Sequence, residues 1–189
     1  MAAPQVLTLS DLAKLFSING AYYVGFSFLF GMSLWVTFFG GVIAFRTLPR
    51  HQFGALQHRT FPVYFNISIG ISSALLALWT RANPGITTRV TSFKDADVAQ
   101  AYALGTVLAG QALNSFVIGP LTSKCMFARH KLEKEEGKAY NEPDVSDKMK
   151  ALNRQFGRLH GYSSLANLLS FFALAFHGLW LGNFGTKVN

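Results

Sequence analysis

The chain has 189 residues, half of them hydrophobic and only 14% charged, with 18 phenylalanines and a positive mean hydropathy. A soluble domain carries about 25% charged residues, so this composition excludes an ordinary soluble enzyme and points to a membrane protein. The net charge of +8 does not mark a nucleic-acid-binding protein, because the basic residues sit between apolar runs, as loop charge does in bilayer proteins.

In chain order, residues 1–19 come first. They contain TLSDLAKLFSI, in which Leu9, Leu12 and Phe16 share one helical face and Thr8 with Asp11 resembles a capping box. A short interfacial helix is predicted there. No signal-peptide pattern is read, since Asp11 and Lys14 precede a span too long for an h-region. Four stretches then reach the roughly 20 apolar residues that a bilayer-crossing helix needs. They cover about 20–45, 62–80, 98–120 and 161–182, and none contains Asp, Glu, Lys or Arg. Spans two and three are richer in Ser, Asn and Gln and are expected to face other helices. NPG at 83–85 signals a turn, and Ser92 followed by Asp95 is expected to cap span three. Residues 121–160 read as two charged helices broken at NEPDVS, the first continuing span three past a kink at Pro120. The fold class is therefore all-α: residues 1–189 form one integral membrane domain. It is a four-span transmembrane helix bundle with a charged cytoplasmic helical hairpin, about 121–160, between spans three and four.

Orientation follows from basic residues. Arg46, Arg50 and Arg59 lie in the first connection and nine more Lys and Arg residues in the third, against five on the opposite side. The positive-inside rule puts these two connections in the cytoplasm and both termini outside or in a lumen. Tyr22, Tyr23, Trp79, Tyr102 and Trp180 fall at the lumenal ends, where amphipathic rings anchor. The stretch RTLPRHQFGALQHR is expected to anchor a short hairpin between spans one and two.

Polar groups inside the bilayer must find partners. Asn66, Asn114 and Asn167 lie on three spans at a common depth, roughly 6–9 Å inside the cytoplasmic boundary at about 1.5 Å per residue. Arg46, Arg50, His51, Arg158 and His160 sit just beyond them. These eight residues are the candidate binding layer; helix–helix glue is the plainer reading of the amides. Small residues at Ala101, Gly105 and Ala109 and at Gly70 and Ala74 read as close-packing positions. No catalytic residue is assigned. His51, His58 and His160 fall on one face, so a three-histidine metal or haem site is chemically allowed, but no HxxxH or HxH spacing supports it. Neither metal nor cofactor is expected. The lone Cys125 is juxtamembrane and reads as inert or palmitoylated.

GMSLWVTFFGG, FRTLPRHQFGALQ, FPVYFNISIG, NSFVIGPLTSKCM and RLHGYSSLANL together resemble the transmembrane-protein-205-like family, also described as a domain of unknown function numbered 4149. The resemblance implies a four-span α-helical membrane protein. It supplies no mechanism, although animal relatives' links with secretory compartments and drug resistance imply export or trafficking. Three functions stay open. The first is an accessory or structural membrane subunit, whose hairpin at 121–160 meets a protein partner or anionic lipid. The second is an efflux- or trafficking-associated transporter with a polar cytoplasmic mouth, and the third is a histidine-based metal or haem protein. Besides the lipid bilayer, a homo- or hetero-oligomer is an expected partner; nucleic acid is not.

Overall fold

The computed structural model describes residues 6–188. It begins with α1, Leu9–Leu15. The Thr8 hydroxyl accepts from the Asp11 amide and the Asp11 carboxylate accepts from the Thr8 amide, closing the predicted capping box. The same Thr8 contacts hold the Asp11 carboxyl below its ordinary range. No side chain of α1 is buried, and Leu9, Leu15 and Phe16 stand exposed. That is the habit of a helix whose apolar face meets a lipid interface.

Four long helices follow: α2 (Ile18–Thr47), α3 (Arg50–Ala82), α4 (Ala96–Glu136) and α5 (Asp147–Phe184). All four are long and apolar enough to cross a membrane. No strand occurs among the described residues. The chain reverses between successive helices, so both ends of the described chain lie on one side of the bundle. There Lys187 Nζ meets the Asp97 carboxylate at 2.7 Å and the Trp79 indole donates to the Asp97 carbonyl at 2.9 Å. The opposite side carries the first and third connections and most of the basic residues; we term it the basic end.

Local chemistry sets the helix boundaries. The hydroxyls of Ser17 and Ser146 cap α2 and α5. Asp95, not Ser92, caps α4, its carboxylate accepting from the Asp97 and Val98 amides. Gly137 and Gly185, at φ +65° and +69°, end α4 and α5 in a conformation that a Cβ would strain. Only Leu48 and Pro49 separate α2 from α3, so the cluster from Arg50 onward is helical rather than a loop. Pro120 produces no simple break. A five-residue π-turn, Asn114–Ile118, precedes it, and the Gly119 amide reaches back to the Asn114 carbonyl. The wider turn accommodates a ring that lacks an N–H. A second π-turn, Val36–Gly40, interrupts α2.

At about 1.5 Å per residue, α4 and α5, of 41 and 38 residues, run to roughly 55–60 Å. A hydrocarbon core is about 30 Å thick. Their excess lies at the basic end, where Leu132, Val145 and Met149 are buried with Tyr140 and Leu152 beside them. This small second core folds the hairpin onto itself. The main core lies toward the termini and includes Tyr22, Phe26, Leu29, Leu75, Trp79, Leu104 and Leu174. Tyr22 and Trp79 are 0% and 1% exposed, so they fill this core instead of joining an interfacial belt. Helix α2 is the least covered span, turning Phe28, Trp35, Phe38 and Phe39 outward. Cys125 is buried with its thiol 3.4 Å from the Leu152 carbonyl, which places it under the hairpin and not on a lipid-facing surface.

Apolar side chains gain little by leaving lipid for protein, so close packing and hydrogen bonds must hold the spans together. The tightest approach of α4 to α5 is at Gly110. A Cβ there would stand 2.6 Å from Ser170 Oγ and 3.1 Å from the Ala166 carbonyl oxygen. Gly105 and Gly70, which the sequence marks as packing positions, have no atom within 4 Å of such a Cβ. Gly110→Val is therefore expected to lower stability by about 1–3 kcal/mol through overpacking, while Gly105→Val is nearly neutral; thermal unfolding in detergent micelles checks both.

Candidate functional site

One side chain contacts all the other spans. Asn167, 8% exposed on α5, accepts at Oδ1 from the Tyr64 hydroxyl of α3 at 2.7 Å and from Gln111 Nε2 of α4 at 3.3 Å. Its Nδ2 donates to Thr37 Oγ1 of α2 at 2.7 Å. Thr37 belongs to the first π-turn, and Asn114 opens the second. Asn114 is fully buried and donates to the Ser163 carbonyl at 3.2 Å. Around this node, Ser33 Oγ, Gln111 Oε1 and Asn114 Oδ1 are buried without a hydrogen-bond partner in the protein. The layer is thus polar beyond what its own bonds satisfy.

Asn66 stands apart. It is exposed, on the outer edge of the α3–α4 seam, where Ser115 Oγ donates to its Oδ1 at 2.8 Å. The buried stripe of α3 runs through Tyr64, Ser68, Ser72, Leu75 and Trp79. At about 100° per residue, position 66 falls on the far side from position 64.

A second buried polar set lies toward the termini. His177 is fully buried on α5; its Nε2 is 2.7 Å from the Tyr22 hydroxyl and its Nδ1 2.9 Å from Gln100 Oε1. Gln100 accepts at Nδ1–H and Tyr22 donates to Nε2, which occupies both ring nitrogens of a neutral imidazole. Phe26 and Trp79 close over its edges. His177 is consequently a structural residue of the core, far from the other imidazoles.

At the basic end, Arg50 donates to Glu133 Oε1, which also accepts from the Tyr140 amide at 2.8 Å. The Arg50 and Arg129 guanidinium carbons lie 3.8 and 4.2 Å from the centroid of the same Tyr140 ring, so one aromatic ring contacts two cations. The Asn153 amide holds the Tyr140 carbonyl at 2.8 Å. These contacts bind α3, α4, the hairpin loop and α5 into one unit. His51 faces His130, and His51 Nε2 approaches Glu133 Oε2 at 3.9 Å. His51, His130 and Glu133 are the residues here with the donor chemistry for a metal ion.

The eight predicted residues therefore divide. Asn114 and Asn167 are interior. Asn66 is at depth but turned outward. Arg50 and His51 meet Glu133. Arg46, Arg158 and His160 are exposed, with His160 stacked on Phe156. His58 pairs with Ser123 at 3.0 Å rather than with another histidine. Sequence reading missed Thr37, Tyr64, Gln111, His130 and Glu133. Gln111 carried a usable signal, since it lies three residues before Asn114 on the same helical face.

With this geometry in place, comparison with known proteins identifies the lineage. The model of a domain of unknown function, DUF4149, matches residues 24–131, more than half of the chain. The protein belongs to the DUF4149 family. It is similar to transmembrane protein 205 of Danio rerio, at 29% identity over 173 residues, 85% of this chain and 89% of that one. No solved structure matches. The segment matched to DUF4149 includes Thr37, Tyr64, Gln111 and Asn114; Asn167, which joins the first three, lies beyond it.

Hydrogen bonds between spans contribute about 0.6–2 kcal/mol each. Asn167→Leu in this DUF4149 protein is thus expected to cost about 1–3 kcal/mol, because it strands the Tyr64 hydroxyl and Gln111 amide. Asn66→Leu, at the outer edge, should cost under about 1 kcal/mol; comparing the two unfolding midpoints in micelles checks the order.

Proposed function

We propose that this DUF4149 protein is an accessory, structural subunit of a membrane assembly, with the hairpin of α4 and α5 in the cytoplasm as its interaction face. One observation carries the reading: the polar side chains at the middle of the bundle bond to one another across all four helices. Ion-coupled transport commonly runs past Asp, Glu, Lys or Arg held within the membrane. The four spans contain no Asp, Glu, Lys or Arg in their central stretches. The interior polar layer instead has the chemistry of a clamp.

The hairpin supports the other half of the reading. It has its own small core and is tied to α3 through Arg50 and Glu133, so it is a folded platform. Lys131, Lys134, Lys138 and Lys148 stand exposed on it. The lysines stand beside exposed Glu135, Glu142, Asp144 and Asp147, and a folded surface of mixed charge at the end of an anchored bundle fits acidic groups on a partner protein through those lysines. The distribution of Lys and Arg supports a cytoplasmic location for that surface.

Charge reversal at Lys131, Lys134 and Lys148 leaves every buried contact intact. Cross-linking in native membranes, followed by purification of the full chain, is expected to recover a defined partner with the wild type and at least about tenfold less with the reversed variant. Equal recovery removes the accessory reading. Solute flux by the purified protein alone in proteoliposomes replaces it with the transport reading.

A further inference from the structure

Three side chains with metal-binding chemistry converge at the basic end, outside the interior polar layer. His51 lies in the first turn of α3. His130 and Glu133 lie three residues apart on α4, and so on one face of it. One ligand atom from each falls within 4.8 Å of the others. His51 Nε2 is 3.9 Å from Glu133 Oε2, and the two imidazole centroids are 4.4 Å apart. Tetrahedral bonds of about 2.0–2.1 Å place ligand atoms roughly 3.3 Å from one another. Small side-chain rotations bridge that difference.

The carboxylate gives an independent indication. Glu133 is 8% exposed. Its Oε1 is held by Arg50 and by the Tyr140 amide, whereas its Oε2 is buried with no hydrogen-bond donor in the protein. A buried carboxylate oxygen without a partner is costly. Here the outer contacts fix the carboxylate so that this oxygen faces the imidazoles, which is how surrounding groups orient a metal ligand. Helix approach is arranged for the same meeting. At Gly54, one turn after His51, a Cβ would stand 3.0 Å from Met126 Sδ and 3.3 Å from His130 Cε1.

We propose that His51, His130 and Glu133 Oε2 bind one first-row divalent transition-metal ion, with zinc as the representative probe. Two imidazoles and one carboxylate suit zinc and its neighbours better than magnesium or calcium, which prefer all-oxygen shells. The exposed side of His51 leaves a fourth position open. The cations Arg50 and Arg129 also face this region, so binding is weaker than at a closed structural zinc site. The ion staples the first turn of α3 to the extension of α4 and so stiffens the platform. The site is independent of the accessory role, since it rests on these three ligands alone.

The test uses tag-free, full-length protein in detergent, stripped with chelator and titrated with zinc chloride. Calorimetry and elemental analysis after desalting are expected to give one zinc per chain, with a melting temperature that rises with zinc and not with magnesium. His51→Ala and His130→Ala should each weaken binding by about tenfold or more. His58→Ala and His160→Ala should leave it unchanged. His51 is surface-exposed, so its variant keeps the fold. The proposal is overturned if His51→Ala binds zinc as the wild type does, if His160→Ala loses it equally, or if the wild type takes up no more zinc than the His51→Ala/His130→Ala double variant.

Discussion

The bundle depends on a single amide. Asn167 of α5 reaches Thr37, Tyr64 and Gln111, one from each of the other spans. In water such bonds would exchange with solvent at modest net gain. In hydrocarbon there is no solvent to exchange with, and an unpaired polar group is costly. The four helices therefore have one arrangement in which Asn167 meets all three of these partners. Apolar packing adds contact area but offers many nearly equivalent rotations, because lipid tails compete evenly with leucine and phenylalanine. The polar node selects among them.

The rest of the architecture follows from that selection. Gly110 lies one residue before Gln111 and lets α4 press against Ala166 and Ser170, beside Asn167. The two π-turns fall in the same layer: one contains Thr37, and the other begins at Asn114 and absorbs Pro120. Each shifts helix phase just where an inward side chain is required. Beyond the layer, the excess length of α4 and α5 leaves the hydrocarbon and folds back through Tyr140, Arg50 and Glu133. Interior rigidity and the folded hairpin are thus continuous along the same two helices.

Much of this was legible in the residues, and what was not has a physical cause. Span number and position follow from apolar length alone, and the Thr8–Asp11 cap from its spacing. Depth was also readable, which located Asn114 and Asn167. Azimuth was not: a π-turn or a proline changes phase, and Asn66 proved to face outward while Tyr64, two residues earlier, faces in. Thr37 and Tyr64 are ordinary members of an apolar run until a partner on another helix gives them a role. His130 and Glu133 sit in a charged stretch that reads as solvated, and only the return of α3 beside α4 shows what they meet. The histidines that sequence grouped, His51, His58 and His160, are at the same end but have different neighbours.

The most direct test concerns two residues linked in the node through a third. Thr37 and Tyr64 each bond to Asn167. A double-mutant cycle with Thr37→Val and Tyr64→Phe, measured by unfolding in micelles, should give a coupling of at least about 0.5 kcal/mol. The same cycle in an Asn167→Leu background should give none. Additivity within about 0.3 kcal/mol in the native background, or a coupling that survives loss of the asparagine, would contradict the view that this amide binds the four helices together.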